Sequence, residues 1–308
     1  MSQNANKNSY SSKNLDDIRK RIDTLDNSIH DMLMERAELV LKIGAEKRKN
    51  NIQIVQPARE ARMIRRLLSR HKGVLPEMAV VRIWRELVGA VSLLQTGLKV
   101  AVAVEDEEHH LWDLAKDYFG SCLPFQKSGS TLSAIAAVRD GRATFAVVPW
   151  PCDSEDHPWW EQLREDGHKG PMRISIRLPH GDDPEKINPD HKGLVVSQTG
   201  FDSSDDDRSF LLVECDSTLS RGKVIELAKE AGFETRSIFT KRMALEFEPS
   251  LHFMEVDGYV DDENAQTHEF QGLLGTEAKV SAVGGYPVPP VYSKTIEAQD
   301  DPIPAKAS

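Results

Sequence analysis

Along residues 15–49 the apolar side chains fall at Leu15, Ile18, Ile22, Leu25, Ile29, Met32, Leu39 and Ile43. From Ile18 onward the steps are three and four, the spacing of a heptad-like seam on one long helix. No Pro interrupts the stretch, Gly44 is its single Gly, and Asn14 or Asp16 suits the N-cap. The stripe position between Met32 and Leu39 is filled by Arg36. Asn50 and Asn51 break this helix, and Ile52–Pro57 reads as a short extended link. Pro57 suits the first turn of a second helix running from about Ala58 to His71. Gly73 and Pro76 make another break. A third helix is predicted over Glu77–Thr96, with Ile83, Leu87, Val91 and Leu94 on its apolar face and Gly97 at its end. Helices so unequal do not close a compact bundle. The first spans about 50 Å at 1.5 Å per residue, and its far end needs a second copy of the chain to cover its seam.

After Gly97 the period changes. Strands are predicted at Leu98–Val104, Ala143–Pro149, Arg173–Leu178 and Gly193–Ser197, with helices at Trp112–Phe119 and Ser130–Arg139, an α/β pattern. Residues 150–170 read as a loop with a short helix in which Trp159 and Trp160 cover a core edge, and acidic Asp202–Asp207 reads as a surface loop. From Ser209 the order becomes strand Phe210–Glu214, helix Gly222–Ala231, strands Thr235–Arg242 and Leu251–Tyr259, helix Asn264–Thr276 and strand Ala278–Gly284. That βαββαβ order is the ferredoxin-like α+β sandwich. The polar residues 1–13 and the Pro- and charge-rich residues 291–308 read as disordered ends. The expected units are thus a helical one at 14–98, an α/β one at 99–207 and a ferredoxin-like one at 208–290. No internal repeat is visible.

Charge sharpens this division. The formal net charge is −10, yet residues 1–98 hold 18 Lys/Arg against 11 Asp/Glu, so they carry +7 and the remainder −17. Such a basic unit suits nucleic acid, a membrane surface or a small anion. Basic and acidic residues interleave along the first helix, unlike a nucleic-acid-binding stripe. No apolar run reaches the roughly 20 residues of a membrane span, and the polar start lacks a signal-peptide core, so a cytoplasmic protein is expected. The three scattered cysteines, Cys122, Cys152 and Cys215, have no metal spacing and read as reduced core thiols. Adjacent His109 and His110 beside Glu107 and Glu108 do not converge as metal ligands do.

Arg36 and Lys47 are 11 residues apart, about 20° around the helix and three turns along it. An unpaired guanidinium on the apolar stripe would cost several kcal/mol, so Arg36 needs an anionic partner, either a side-chain carboxylate or a bound ligand. Arg19 lies 17 residues before Arg36, roughly 25 Å along the helix and about 100° around it. A small ligand cannot touch both in one chain, but two antiparallel copies can bring them together. Arg59 and Glu60 open the second helix, and Gln95 lies near the end of the third.

The run Leu15-x-x-Ile18-Arg19-x-x-Ile22-Asp23-x-Leu25-Asp26, then Glu35-Arg36-x-x-Leu39, Ile43-Gly44-x-x-Lys47, Arg59-Glu60, and Ile83-Trp84-Arg85-Glu86-Leu87-Val88-Gly89-Ala90 with Gln95 resembles the all-helical chorismate mutases over about residues 15–96. The resemblance implies a three-helix domain in an intertwined homodimer with shared active sites. It also implies conversion of chorismate to prephenate in phenylalanine and tyrosine biosynthesis. By that similarity Arg36, Arg59 and the second chain's Arg19 clamp the two carboxylates, Lys47 contacts a carboxylate and the ether oxygen, Gln95 donates to the ether oxygen, and Glu60 accepts from the ring hydroxyl. The rearrangement is intramolecular, so no cofactor or metal is implied. What it requires is a held diaxial conformer and charge stabilisation at the ether oxygen, and arginine forks suit carboxylates. Gln56 stands where the family often has Asp, and Val91 where many members have Ser.

Residues 99–207 resemble a prephenate dehydratase domain through Val138-x-x-Gly141-x-Ala143-x-Phe145-Ala146-Val147-Val148-Pro149, with altered motifs. Arg208-Ser209-Phe210 stands for Thr-Arg-Phe, Pro149-Trp150-Pro151-Cys152 for Pro-Ile-Glu-Asn, and Glu105–His110 for a Gly-rich, Ser-containing start. Residues 208–290 resemble an ACT-type regulatory domain, closed by Gly284-Gly285-Tyr286-Pro287. Its two phenylalanine-binding motifs are replaced by Ser217–Gly222 and Ile238–Arg242. Beside a mutase with a degenerate dehydratase-like domain, two other readings stand: a non-catalytic sensor of an aromatic-pathway metabolite, and a bifunctional mutase–dehydratase. Only the mutases need the ether-oxygen donors.

Overall fold

The computed structural model describes residues 4–292 apart from 51–52, 54, 105–109, 154–156, 165–169, 183–190 and 242–247. The altered dehydratase start at Glu105–His109, the final Arg242 of a predicted strand and the tail beyond Tyr292 lie outside the described residues. The elements are α1 (Asn4–Lys49), α2 (Pro57–Ser69), α3 (Glu77–Thr96), β1 (Val100–Ala103), α4 (His110–Phe119), β2 (Phe125–Ser128), α5 (Thr131–Arg139), β3 (Phe145–Pro149), β4 (Arg173–Leu178), β5 (Gly193–Ser197), β6 (Asp207–Cys215), α6 (Arg221–Glu230), β7 (Thr235–Thr240), β8 (Ser250–Asp257), α7 (Ala265–Leu274) and β9 (Lys279–Pro287).

Two compact units form, one of residues 1–54 with Leu94–Thr96, the other of Val55–Leu93 with Gly97–Ser308. In the first, α1 starts at Asn4 rather than near Leu15, so residues 4–13 are helical and not the irregular arm predicted from their polarity. No Pro or Gly interrupts 4–13, and an established helix propagates at little cost. The predicted seam is present but uncovered in the single chain: Leu25 is 55%, Ile29 51% and Met32 60% exposed.

In the second unit one nine-stranded sheet runs in the order β2-β1-β3-β5-β4-β9-β6-β8-β7. β1 pairs in parallel with β2 and β3, and the antiparallel pair β4–β5 follows. β6–α6–β7–β8–α7–β9 is the ferredoxin-like order, with antiparallel neighbours β9-β6-β8-β7. Leu211, Val213, Met254 and Val280 form the core of this half with Val224 and Phe270 from its two helices. The halves join where Ile174 of β4 pairs with Gly284 of β9. Gly284 has φ +98°, and a Cβ there would lie 2.1 Å from the Ile174 carbonyl oxygen, so the junction needs glycine.

Packing runs across the expected boundaries at 98/99 and 207/208. α2 and most of α3 pack with the sheet: Val55 and Leu93 border its core, and Ile64, Val81 and Tyr292 form a further cluster. Phe210, Leu212, Phe253, Val283 and Tyr286 share one core with β1, β3, α4 and α5. Phe210 stacks on Phe253 at 4.6 Å, and Trp160 on the same ring at 5.3 Å, so the tryptophan pair does cover a core edge. The tail begins later than predicted: Val291 bridges to Asp182, and Tyr292 is buried. The short strand β2 has little apolar pattern and was not expected. Of the cysteines only Cys215 is a core thiol, and burial pushes it up to about 11; Cys122 and Cys152 are exposed.

Candidate active site

Arg36, Val40, Gly44 and Lys47 follow one another along one face of α1, at steps of four, four and three. Arg36 and Lys47 are both half-buried, whereas Arg19 is exposed. Burial lowers the Arg36 guanidinium from its ordinary value. On this face lies Gln95, from the last turn of α3. Its Nε2 donates to the Val40 carbonyl oxygen at 2.6 Å, while Arg48 donates to the Gln95 carbonyl oxygen at 2.9 Å. Gly44 makes this approach possible: a Cβ there would stand 2.6 Å from Gln95 Nε2. Gln95 thus packs on Val40–Gly44, in the interval between Arg36 and Lys47. Arg19 stands apart, its NH1 3.4 Å from Asp16.

Arg59 and Glu60 occupy the first turn of α2, in the second unit, where an acidic residue suits the helix N-terminus. Arg59 is exposed and Glu60 half-buried. Arg85 NH1 donates to Glu60 Oε2 at 2.8 Å. Arg85 is thus the buried partner of Glu60, and its signal is present in the sequence. Val81, Arg85 and Gly89 are buried on α3 at steps of four, so a guanidinium sits on an apolar stripe there as Arg36 does on α1. Gln56, at the N-cap of α2, makes no side-chain capping bond.

The dehydratase-like triplet is taken up by packing. Ser209 is fully buried; its hydroxyl donates to the Gly258 carbonyl oxygen at 2.8 Å and accepts from Val260 N at 2.8 Å. Arg208 NH1 lies 3.4 Å from Glu255, which also accepts from Tyr286 Oη and from Ser237 at 2.9 Å.

A long helix carrying Arg36 and Lys47 on one face, with a glutamine from a third helix packed between them, defines a helical module. Residues 18–96 match the family model for chorismate mutase type II, which places the resemblance in the N-terminal helices. The relatives of the longer chain carry the name bifunctional chorismate mutase/prephenate dehydratase. That of Aquifex aeolicus is 32% identical over 139 residues, 44% of this chain and 38% of the relative. That of Pseudomonas aeruginosa is 26% identical over 137 residues, 43% of this chain and 37% of the relative. The matched stretch spans less than two fifths of either relative. Among solved structures, the prephenate dehydratase of Staphylococcus aureus subsp. aureus Mu50 aligns with a TM-score of 0.45 at 11% identity, covering 61% of this chain and all of that one. At that TM-score the likeness is too loose to carry an assignment. Among the described residues no helix is long and apolar enough to cross a membrane.

Proposed function

We propose that the chain rearranges chorismate to prephenate, for aromatic amino acid biosynthesis in the cytoplasm, as a homodimer in which each site draws on both subunits. The observation that carries this reading is the packing of Gln95 on Val40–Gly44, between Arg36 and Lys47, within a segment that matches the mutase family model. In this reading Arg36, Arg59 and the second chain's Arg19 hold the two carboxylates in the diaxial conformer. Lys47 and Gln95 donate to the ether oxygen as charge builds there, and Glu60 accepts from the ring hydroxyl. Gln95 has two amide N–H groups, and the bond to Val40 uses one. The bare seam of α1 supports the dimer, because its eight apolar residues from Leu15 to Ile43 stand at least 42% exposed.

In this reading residues 99–207 are a dehydratase-like layer without the dehydration step, and 208–290 an ACT-like unit with a structural role. The loss of dehydratase chemistry is supported by Ser209 and Arg208, whose polar groups serve the sheet. The test is the loss of chorismate absorbance with purified full chain, with phenylpyruvate assayed separately. Prephenate without phenylpyruvate is expected. Arg36→Ala or Lys47→Ala should lose on the order of 10³-fold in rate, about 4 kcal/mol. Near-normal turnover in either variant removes the assignment.

A further inference from the structure

Resting on the mutase reading above, we propose that Arg85 is a positioning residue for Glu60, and that Tyr118 of α4 seats Arg85. Arg85 lies in the middle of α3 and is 6% exposed. Its bond to Glu60 joins two side chains that are 7% and 15% exposed. The guanidinium carbon stands 4.0 Å from the centre of the Tyr118 ring, itself buried. One side of the guanidinium is therefore fixed by a carboxylate and the other by an aromatic face. A planar guanidinium seated on the ring holds NH1 in one direction, and the single NH1–Oε2 bond sets where the Glu60 carboxylate points.

The neighbouring Glu86 accepts from Ser121 N with both oxygens, at 2.9 and 3.0 Å, which ties α3 to the chain just after α4. Arg85 and Tyr118 also line a small cavity with Ala61, Ile64 and His180. Stability alone does not account for such a pair. A buried ion pair contributes little that well-packed apolar residues would not, whereas a carboxylate that must meet one hydroxyl needs a fixed orientation.

The test is a double-mutant cycle on the full chain, read as kcat/KM for chorismate, with far-UV circular dichroism and urea midpoints confirming folded variants. Arg85→Met should lose on the order of 10²-fold, the cost of misplacing a site group by about 1 Å. Arg85→Lys, which keeps the charge but not the fork, should recover part of that loss. In a Glu60→Gln background Arg85→Met should change the rate less than about threefold, because its effect passes through the missing carboxylate. Tyr118→Leu leaves both charges in place and keeps the cycle readable if Arg85→Met does not fold. It should lose about 10-fold alone and nothing further in Glu60→Gln. Losses that add fully to that of Glu60→Gln would make Arg85 and Tyr118 merely structural and overturn the proposal. A wild-type chain that leaves chorismate unchanged overturns the mutase reading itself, a separate result seen before any variant is made.

Discussion

His252 on β8 illustrates how a single side chain can tie stability to pH. It is 2% exposed, its Nδ1 lies 2.9 Å from Thr240 Oγ1, and its Nε2 has no hydrogen-bond partner among the described residues. Burial, aided by the charge of Arg221, lowers the ring from 6.5 to about 4. The unfolded chain therefore binds the proton first as pH falls. Its contribution to stability is intact above 6.5 and is lost progressively between 6.5 and about 4, at roughly 1.4 kcal/mol per pH unit at most. His180, lowered to about 3 by burial and by the charges of Arg85 and Arg82, acts in the same direction over a wider window. Urea midpoints of the full chain from pH 7.5 to 4.5 should fall, and His252→Asn should flatten part of that fall. An unchanged slope in the variant would place the acid sensitivity elsewhere. Nothing in the sequence marked this histidine, since burial of a residue on a strand depends on what the other strands place over it.

At the scale of the element, α1 was legible almost throughout. Its seam, its cationic interruptions at Arg36 and Lys47 and its end at Lys49 all follow from a three-and-four spacing that only a helix satisfies. α3 was equally plain, ending where Gly97 turns left-handed at φ +63°. β2 was not legible: Phe125–Ser128 has exposed Gln126 and Lys127 and one partly buried aromatic, too short a signal to separate from a loop. The exposed seam carries the dimer proposal, and Arg19 tests it. Arg19→Ala and Arg36→Ala chains should each be nearly inactive alone. When mixed under conditions of subunit exchange they should recover activity, because one site of the mixed dimer then keeps both arginines. No recovery despite measured exchange would argue for sites within single chains. Ile29→Lys, in the middle of the seam, should shift the chain toward monomer in analytical ultracentrifugation.

For the whole molecule, the unexpected feature is the division of the helices. A boundary after Leu98 is natural from composition, since charge and periodicity both change there. Yet α2 and most of α3 belong to the sheet unit. Arg65 donates to the Ser204, Asp206 and Val288 carbonyl oxygens, and Tyr292 packs with Ile64 and Val81. A fragment ending at Leu98 loses every one of these partners. It should show earlier urea unfolding and faster amide exchange in α2 and α3 than the full chain. Equal protection in both would mean that the sheet adds nothing to these helices.

By itself the sequence determined most of the elements, the helical class of the N-terminal segment and the candidate residues Arg36 and Lys47, because helix and strand periods and local charge are encoded in neighbours a few positions apart. The tertiary structure alone decided three matters. Gln95 lies on Val40–Gly44, Glu60 is gripped by Arg85, and two sheets predicted apart share one core across Ile174 and Gly284. Each joins residues tens of positions apart in the chain, and such a contact depends on the shape of both surfaces, which no local pattern records.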